Sequence, residues 1–143
     1  MNLRVIAYIA SVTISLVLIG PANAAGENGD IGFEPHCSNA SLDGHFGFYR
    51  AGSTPVGTLA SIGLIRYDGH GNFVVNQNIS KNGAYQFDIE FNGTYQVNAD
   101  CTGAAFLDGA EFARIVVTER GHSFYMFSES AGNAVYGVGQ RVD

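Results

Sequence analysis

Three arginines, Arg50, Arg66 and Arg114, are the side chains of this sequence best suited to fix a polar group of a ligand. A guanidinium carries a planar fork of N–H donors that matches carboxylates and other anions. In a strand, Arg114 would share a face with the apolar residues Phe112 and Val116, because side chains alternate between two faces. This shared face is compatible with an interior position of Arg114, but arginines more often take an outer position with an extended, solvated side chain, so the outer position is favoured and the interior one is the alternative.

Aromatic side chains form the second candidate set, because a ligand pocket needs mainly apolar walls with a few polar groups. The candidates are Tyr85, Phe87, Phe91, Tyr95 and Phe112. The alternative is that these rings only fill the interior of a narrow barrel. Residues 124–127 form a further apolar run without alternation, which predicts that both faces of this strand are buried. Contact with a second copy of the chain is one way in which the outer face could be covered.

Other side chains give little support for catalysis. Asp88 and Glu90 would share one face of a strand, where two carboxylates could act as acid and base, but their alternation with apolar residues favours a solvated exterior. No serine lies in a nucleophile motif. The histidines share no metal-ligand spacing, and the sequence predicts neither a metal nor a cofactor; they are His36, His45, His70 and His122.

The first 24 residues have the pattern of a signal peptide. A basic residue, Arg4, precedes an apolar stretch at 5–20, and Ala22-Asn23-Ala24 is a small-x-small cleavage site. The alternative is an uncleaved membrane anchor, which requires about 20 apolar residues, whereas Pro21 ends this stretch early. We predict cleavage after Ala24 and a secreted or periplasmic protein with no membrane span in the remaining chain.

Charge and cysteine content limit the function further. Thirteen acidic residues against seven basic ones give a formal net charge of −6, which argues against nucleic acid as a partner. Cys37 and Cys101 both follow the predicted signal peptide, and disulfides persist in oxidising compartments. A structural disulfide between them is therefore expected, in preference to a metal pair or a catalytic thiol.

Residues 25–36 contain turn-forming and charged residues and predict a flexible leader, so that 37–143 forms one domain. Short apolar runs separated by Gly, Asn and Asp follow, without helical periodicity. They predict eight strands, at 45–50, 57–67, 73–80, 85–98, 104–107, 110–118, 123–129 and 134–142.

Asn92-Gly93 is also typical of a two-residue hairpin and would divide the strand at 85–98. A hairpin there would place Phe91 and Tyr95 on opposite faces. In one continuous strand they share a face with Tyr85 and Phe87, so we predict a single strand with a bend at Gly93.

Eight sequential strands without helices favour an all-β fold, an antiparallel up-and-down barrel in preference to a sandwich. An eight-stranded barrel encloses side chains or one small ligand.

Four stretches, 37–48, 65–73, 93–103 and 135–141, resemble a group of small secreted bacterial proteins that are similar to the allene oxide cyclase barrel-like domains. The resemblance covers nearly all of the chain after the leader and implies a calycin-type barrel. Its motifs consist of turns and the cysteine pair, so they imply a fold and not a reaction. No catalytic residue can be carried over to this sequence.

Three functions remain. The first is binding of a small hydrophobic or aromatic ligand in the barrel lumen, which requires a cavity of a few hundred cubic ångströms. The second is a cyclase-type or isomerase-type enzyme, which also needs polar groups converging in that cavity. The third is a non-catalytic structural or interaction protein of the cell envelope, which a filled lumen would favour.

Overall fold

A computed structural model describes residues 36–142. The predicted signal peptide, its cleavage site and all of the predicted leader except His36 lie outside these residues. The described chain forms eight strands: β1 (Gly44–Thr54), β2 (Gly57–Tyr67), β3 (Asn72–Lys81), β4 (Ala84–Val97), β5 (Thr102–Leu107), β6 (Ala110–Thr118), β7 (Ser123–Ser128) and β8 (Ala134–Arg141). Two short 3₁₀ helices, Asn39–Leu42 and Glu119–Gly121, complete it.

Each strand pairs antiparallel with the next along the chain, and β8 pairs with β1. The sheet therefore closes into an eight-stranded up-and-down barrel, which confirms the predicted fold and leaves no open sheet edge. None of the helices in residues 36–142 has the length and apolar character needed to cross a membrane.

The turns follow from residues that accept a positive φ. Between β3 and β4, Asn82 has a φ of 51° and Gly83 a φ of 80°, the conformation of a two-residue hairpin that matches strand twist. The Asn82 side chain accepts a hydrogen bond from the Thr58 N–H at 2.8 Å, which ties this turn to the neighbouring β1–β2 hairpin. The four connections β1–β2, β3–β4, β5–β6 and β7–β8 lie at one end of the barrel, which we call the hairpin end.

The opposite end is closed by the 3₁₀ helix Asn39–Leu42. Leu42 is fully buried, the Tyr95 hydroxyl donates to the Asn39 carbonyl at 2.8 Å, and the Val97 N–H donates to Asn39 Oδ1 at 2.8 Å. The predicted Cys37–Cys101 disulfide is confirmed and joins the start of this helix to the β4–β5 turn. The helix is thus fixed by one covalent bond, two hydrogen bonds and an apolar side chain.

The barrel interior is an aromatic core. The rings of Phe46, Tyr67 and Phe124 meet edge to face with centroids 5.5 to 5.7 Å apart. This geometry places the positive ring edge against the negative ring face, which stabilises aromatic pairs beyond the burial of their area. These three side chains come from β1, β2 and β7, so the cluster connects strands across the lumen.

Strand β4 is continuous through Gly93, as predicted. A Cβ at Gly93 would lie 2.3 Å from the Phe106 carbonyl oxygen, which explains the glycine by close approach of β5. The predicted common face of Tyr85 and Phe91 is wrong, because a β-bulge shifts the pairing between Gln77 and Ile79 on β3. Beyond the bulge the alternation reverses.

Asp88 occupies the bulge with a φ of 53°, and its N–H donates to Asn78 Oδ1 at 3.0 Å. As a result Tyr85 and Phe87 are exposed, whereas Tyr95 is buried. In the run at 124–127, Tyr125 and Phe127 face outward and are 59% and 49% exposed in the described chain, so their cover by a second copy stays a prediction.

Candidate functional site

The lumen does not contain the large cavity that a lumen ligand requires. The space among the inner side chains is about 20 Å³, room for about one water molecule and far below the few hundred cubic ångströms expected. Phe91 and Phe112 line this space, and Tyr95 is buried near the closed end. Of the predicted aromatic set, these three therefore contribute to a packed interior.

Arg66 and Arg114 lie on the outer surface. The Arg114 Nε is paired with Glu111 and lies 3.3 Å from Glu129 Oε1, so Arg114 takes the outer position that the sequence favoured and not the alternative interior one. A second bulge, between Ala105 and Phe106 of β5, breaks the alternation on β6 and lets Phe112 line the lumen two residues before the outward Arg114.

Arg50 is the arginine that the structure places inside. It follows Phe46 and Phe48 on the inner face of β1, past the middle of the strand and towards the hairpin end. Its Nε donates to Ser61 Oγ at 2.9 Å and its Nη2 donates to Gln77 Oε1 at 3.2 Å. Burial lowers the pKa of Arg50, because an apolar interior disfavours the charged guanidinium.

A groove on the outer wall is much larger than the lumen space. It measures about 330 Å³, and we call it the outer groove; its exposed large apolar side chains are Tyr49, Ile62, Tyr85 and Phe87, and Arg50, Ser61 and Ile79 also border it. Tyr49 and Ile62 are 57% and 64% exposed, and Tyr85 and Phe87 are each 70% exposed. The rings of Tyr85 and Phe87 are stacked, with centroids 6.5 Å apart and planes 16° from parallel.

Strand register explains how the outer groove forms. Tyr49 of β1 is directly opposite Ile62 of β2, and the bulge on β4 turns Tyr85 and Phe87 outward beside them. Tyr85 and Phe87 were among the ligand-binding candidates predicted from the sequence, whereas Tyr49 and Ile62 were not. The alternation of Phe48, Tyr49 and Arg50 along β1 contained the necessary information, since it places Tyr49 on the opposite face from its neighbours.

The outer groove belongs to a wider surface without acidic residues. Strands β7, β8, β1 and β2 contain no aspartate or glutamate. Across them the register aligns Tyr125, Val138, Tyr49 and Ile62 in one row of outward side chains. We call the outer side of these four strands the acid-free face. It is apolar where other parts of the surface, such as the outer side of β4, carry carboxylates.

The ionisable groups with shifted pKa values serve the fold. The Asn72 side chain donates to Asp68 in the β2–β3 turn and lowers the pKa of Asp68 to about 2. Burial raises the pKa of Tyr95 to about 12 and raises that of Tyr67 further. Within residues 36–142 no group of three or more His, Cys, Asp or Glu side chains could hold a metal ion.

Comparison with models of known protein families, with curated proteins and with solved structures finds no match to this chain. The similarity to allene oxide cyclase barrel-like proteins therefore has no support beyond the barrel topology itself. A shared barrel architecture does not define a function, because unrelated activities use the same fold.

Proposed function

We propose that the protein is an exported, non-catalytic binding barrel whose outer groove takes a small, flat, apolar or aromatic molecule. This proposal rests on the difference in cavity volume, which is about 330 Å³ in the outer groove and about 20 Å³ in the lumen. The groove volume falls at the lower end of the range for small-molecule pockets, about 300 to 1,000 Å³.

The chemistry of the groove supports an aromatic ligand. The stacked rings of Tyr85 and Phe87 present flat faces beside Ile62, and a planar ligand can stack on them or meet them edge to face. Covering these largely exposed side chains removes apolar surface from water, which is the main driving force for such binding. The Tyr49 hydroxyl adds a polar group that can hydrogen-bond to a ligand.

Export is supported by two independent features. The first 24 residues have the signal-peptide pattern, and the Cys37–Cys101 disulfide fits an oxidising compartment. An enzyme of the cyclase or isomerase type is less well supported. Such an enzyme needs polar groups converging around a substrate-sized space. The lumen space beside Arg50, Ser61 and Gln77 is about 20 Å³, and the larger outer groove, which Arg50 and Ser61 also border, is lined mainly by apolar residues.

A second candidate function is association of two copies through the acid-free face. The observation that favours it is the row of Tyr125, Val138, Tyr49 and Ile62 in a chain of net charge −6, because copies of an acidic protein repel one another least where acids are absent. Exposed aromatic side chains are also enriched at protein interfaces.

The proposal is tested by titrating the mature protein with N-phenyl-1-naphthylamine, a neutral aromatic dye that fluoresces in apolar surroundings. Variants Tyr49→Ser and Phe87→Ser are expected to bind the dye at least tenfold more weakly than wild type. The matched control is Tyr136→Ser, which removes an exposed tyrosine of the acid-free face outside the groove and should bind within twofold of wild type.

Equal binding by wild type and Phe87→Ser, or no uptake by wild type, contradicts the proposal. Sedimentation of the same proteins separates the two candidate functions. A wild type that sediments as a monomer at micromolar concentration and binds the dye supports the small ligand. If wild type sediments as a dimer and binds no dye, and Tyr136→Ser weakens the dimer, the result supports association of two copies through the acid-free face.

A further inference from the structure

Arg50 is a cation held in an apolar interior by neutral partners. Among the described residues the buried polar side chains are Ser61, Gln77 and Ser123, and the first two both accept hydrogen bonds from the Arg50 guanidinium. These contacts use Nε and one N–H of Nη2. They fix the plane of the guanidinium and leave the Nη1 donors, with the second N–H of Nη2, free to bind another group. Since no buried side-chain nitrogen of the described residues lacks a partner, Nη1 remains accessible to solvent.

No described carboxylate balances this charge. The ion pairs of the outer surface occupy Glu111 and Glu129 with Arg114, and the strands on both sides of Arg50, β8 and β2, contain no acid. Arg50 is partly buried, and a cation partly removed from water without a counter-charge is disfavoured, an effect that a bound anion offsets. The lowered pKa of Arg50 reflects the same burial.

Space and access define the size of such an anion. The lumen space of about 20 Å³ borders Arg50, Gln77 and the rings of Phe48 and Phe91, so it admits about one small ion or one small group. Arg50 lies towards the hairpin end, away from the 3₁₀ helix that closes the other end, and it keeps partial exposure. An anion can therefore reach the free donors from the hairpin end.

We propose that Arg50, oriented by Ser61 and Gln77, is a binding site for one small monovalent anion, either a halide ion or the carboxylate group of a small acid. Arg50 and Ser61 also border the outer groove, but Arg50 and Tyr49 are consecutive residues whose side chains alternate across β1, and the Arg50 guanidinium is held on the inner face by Ser61 and Gln77. The anion site does not depend on the proposed function.

The test measures the ³⁵Cl NMR line width of sodium chloride at constant ionic strength with the mature protein. Wild type should broaden the line well above a protein-free sample, and Arg50→Met should abolish the excess. Arg66→Met, which removes an outer-surface arginine, is the matched control and should retain it. Iodide and acetate are then added as competitors. Displacement by iodide alone identifies a halide site, and displacement by acetate shows that a carboxylate group fits.

A second variant guards against misfolding of Arg50→Met. Gln77→Glu is nearly isosteric and supplies an internal carboxylate 3.2 Å from the guanidinium, in place of the amide oxygen. It should fold, lose the chloride broadening and lose the anion dependence of its Tm. In wild type the Tm should rise by about 5 °C when chloride rises to ten times its Kd. Unchanged broadening in both variants, or none in wild type, overturns the proposal.

Discussion

Replacing Phe124 by alanine tests the conclusion that the lumen is filled. Phe124 is fully buried on the inner face of β7, and its ring lies edge to face with Phe46 and Tyr67 at 5.5 and 5.7 Å. Phe127 is on the same strand, points outward and is 49% exposed. The same substitution at these two positions therefore changes the core in one case and only the surface in the other.

The expected magnitudes differ by several-fold. Truncating a buried phenylalanine costs about 3–5 kcal/mol, since the transfer free energy of the ring is lost and a cavity remains. The two aromatic contacts, each worth about 0.5–1.5 kcal/mol, place Phe124→Ala towards the upper end of that range. Phe127→Ala removes a half-exposed ring and should lower the free energy of unfolding by no more than about 1 kcal/mol.

Urea denaturation of the disulfide-intact protein measures both values. Benzene supplies the second measurement: it should raise the Tm of Phe124→Ala, whose new cavity is the size of a ring, and leave the Tm of wild type unchanged. A loss below about 1.5 kcal/mol for Phe124→Ala, or stabilisation of wild type by benzene, would show that the lumen holds more free space than the structure indicates.

Two other predictions concern the ends of the barrel. Replacing both Cys37 and Cys101 by alanine releases a loop with a sequence separation of 64 residues and should lower the free energy of unfolding by about 4 kcal/mol, measured by urea denaturation; an unchanged midpoint would contradict it. Asp68, with a pKa of about 2 when folded and about 4 when unfolded, stabilises the fold above pH 4, and this contribution disappears as the pH falls from about 4 to 2. Asp68→Asn should therefore lose less stability than wild type in acid melts over that interval, and parallel curves would contradict the assignment.

The fold was predictable because turns and alternation are local properties. Dipeptides such as Asn82-Gly83 adopt a positive φ without strain and end strands where they occur, so the number and order of strands could be read from composition. The disulfide followed from the predicted compartment. The bulge at Asp88 could not be predicted, because it depends on a hydrogen bond that the Asp88 N–H donates to Asn78 Oδ1 on another strand.

Consequently, the predicted orientations of the side chains beyond each bulge were wrong. Tyr85 was assigned to the face of Phe91 by parity, and Arg114 to the face of Phe112, although in each case an inserted residue reverses the alternation. No bulge intervenes on β1, and there parity places Arg50 beside Phe46 and Phe48 on the inner face. The volume of the lumen was also beyond sequence analysis, since it depends on how the rings of several strands interlock.

The two proposed sites share strand β1 but depend on opposite physical effects. Tyr49 contributes by burying apolar surface on binding, so ligand affinity at the outer groove should change little with ionic strength. Arg50 contributes through charge in a region of low dielectric constant, so its occupancy should follow the identity and concentration of the anion. Since the Arg50 guanidinium and the Tyr49 ring point to opposite faces of β1, Arg50→Met should leave dye binding intact and Tyr49→Ser should leave chloride broadening intact. Loss of both signals in either variant would mean that β1 itself had been displaced.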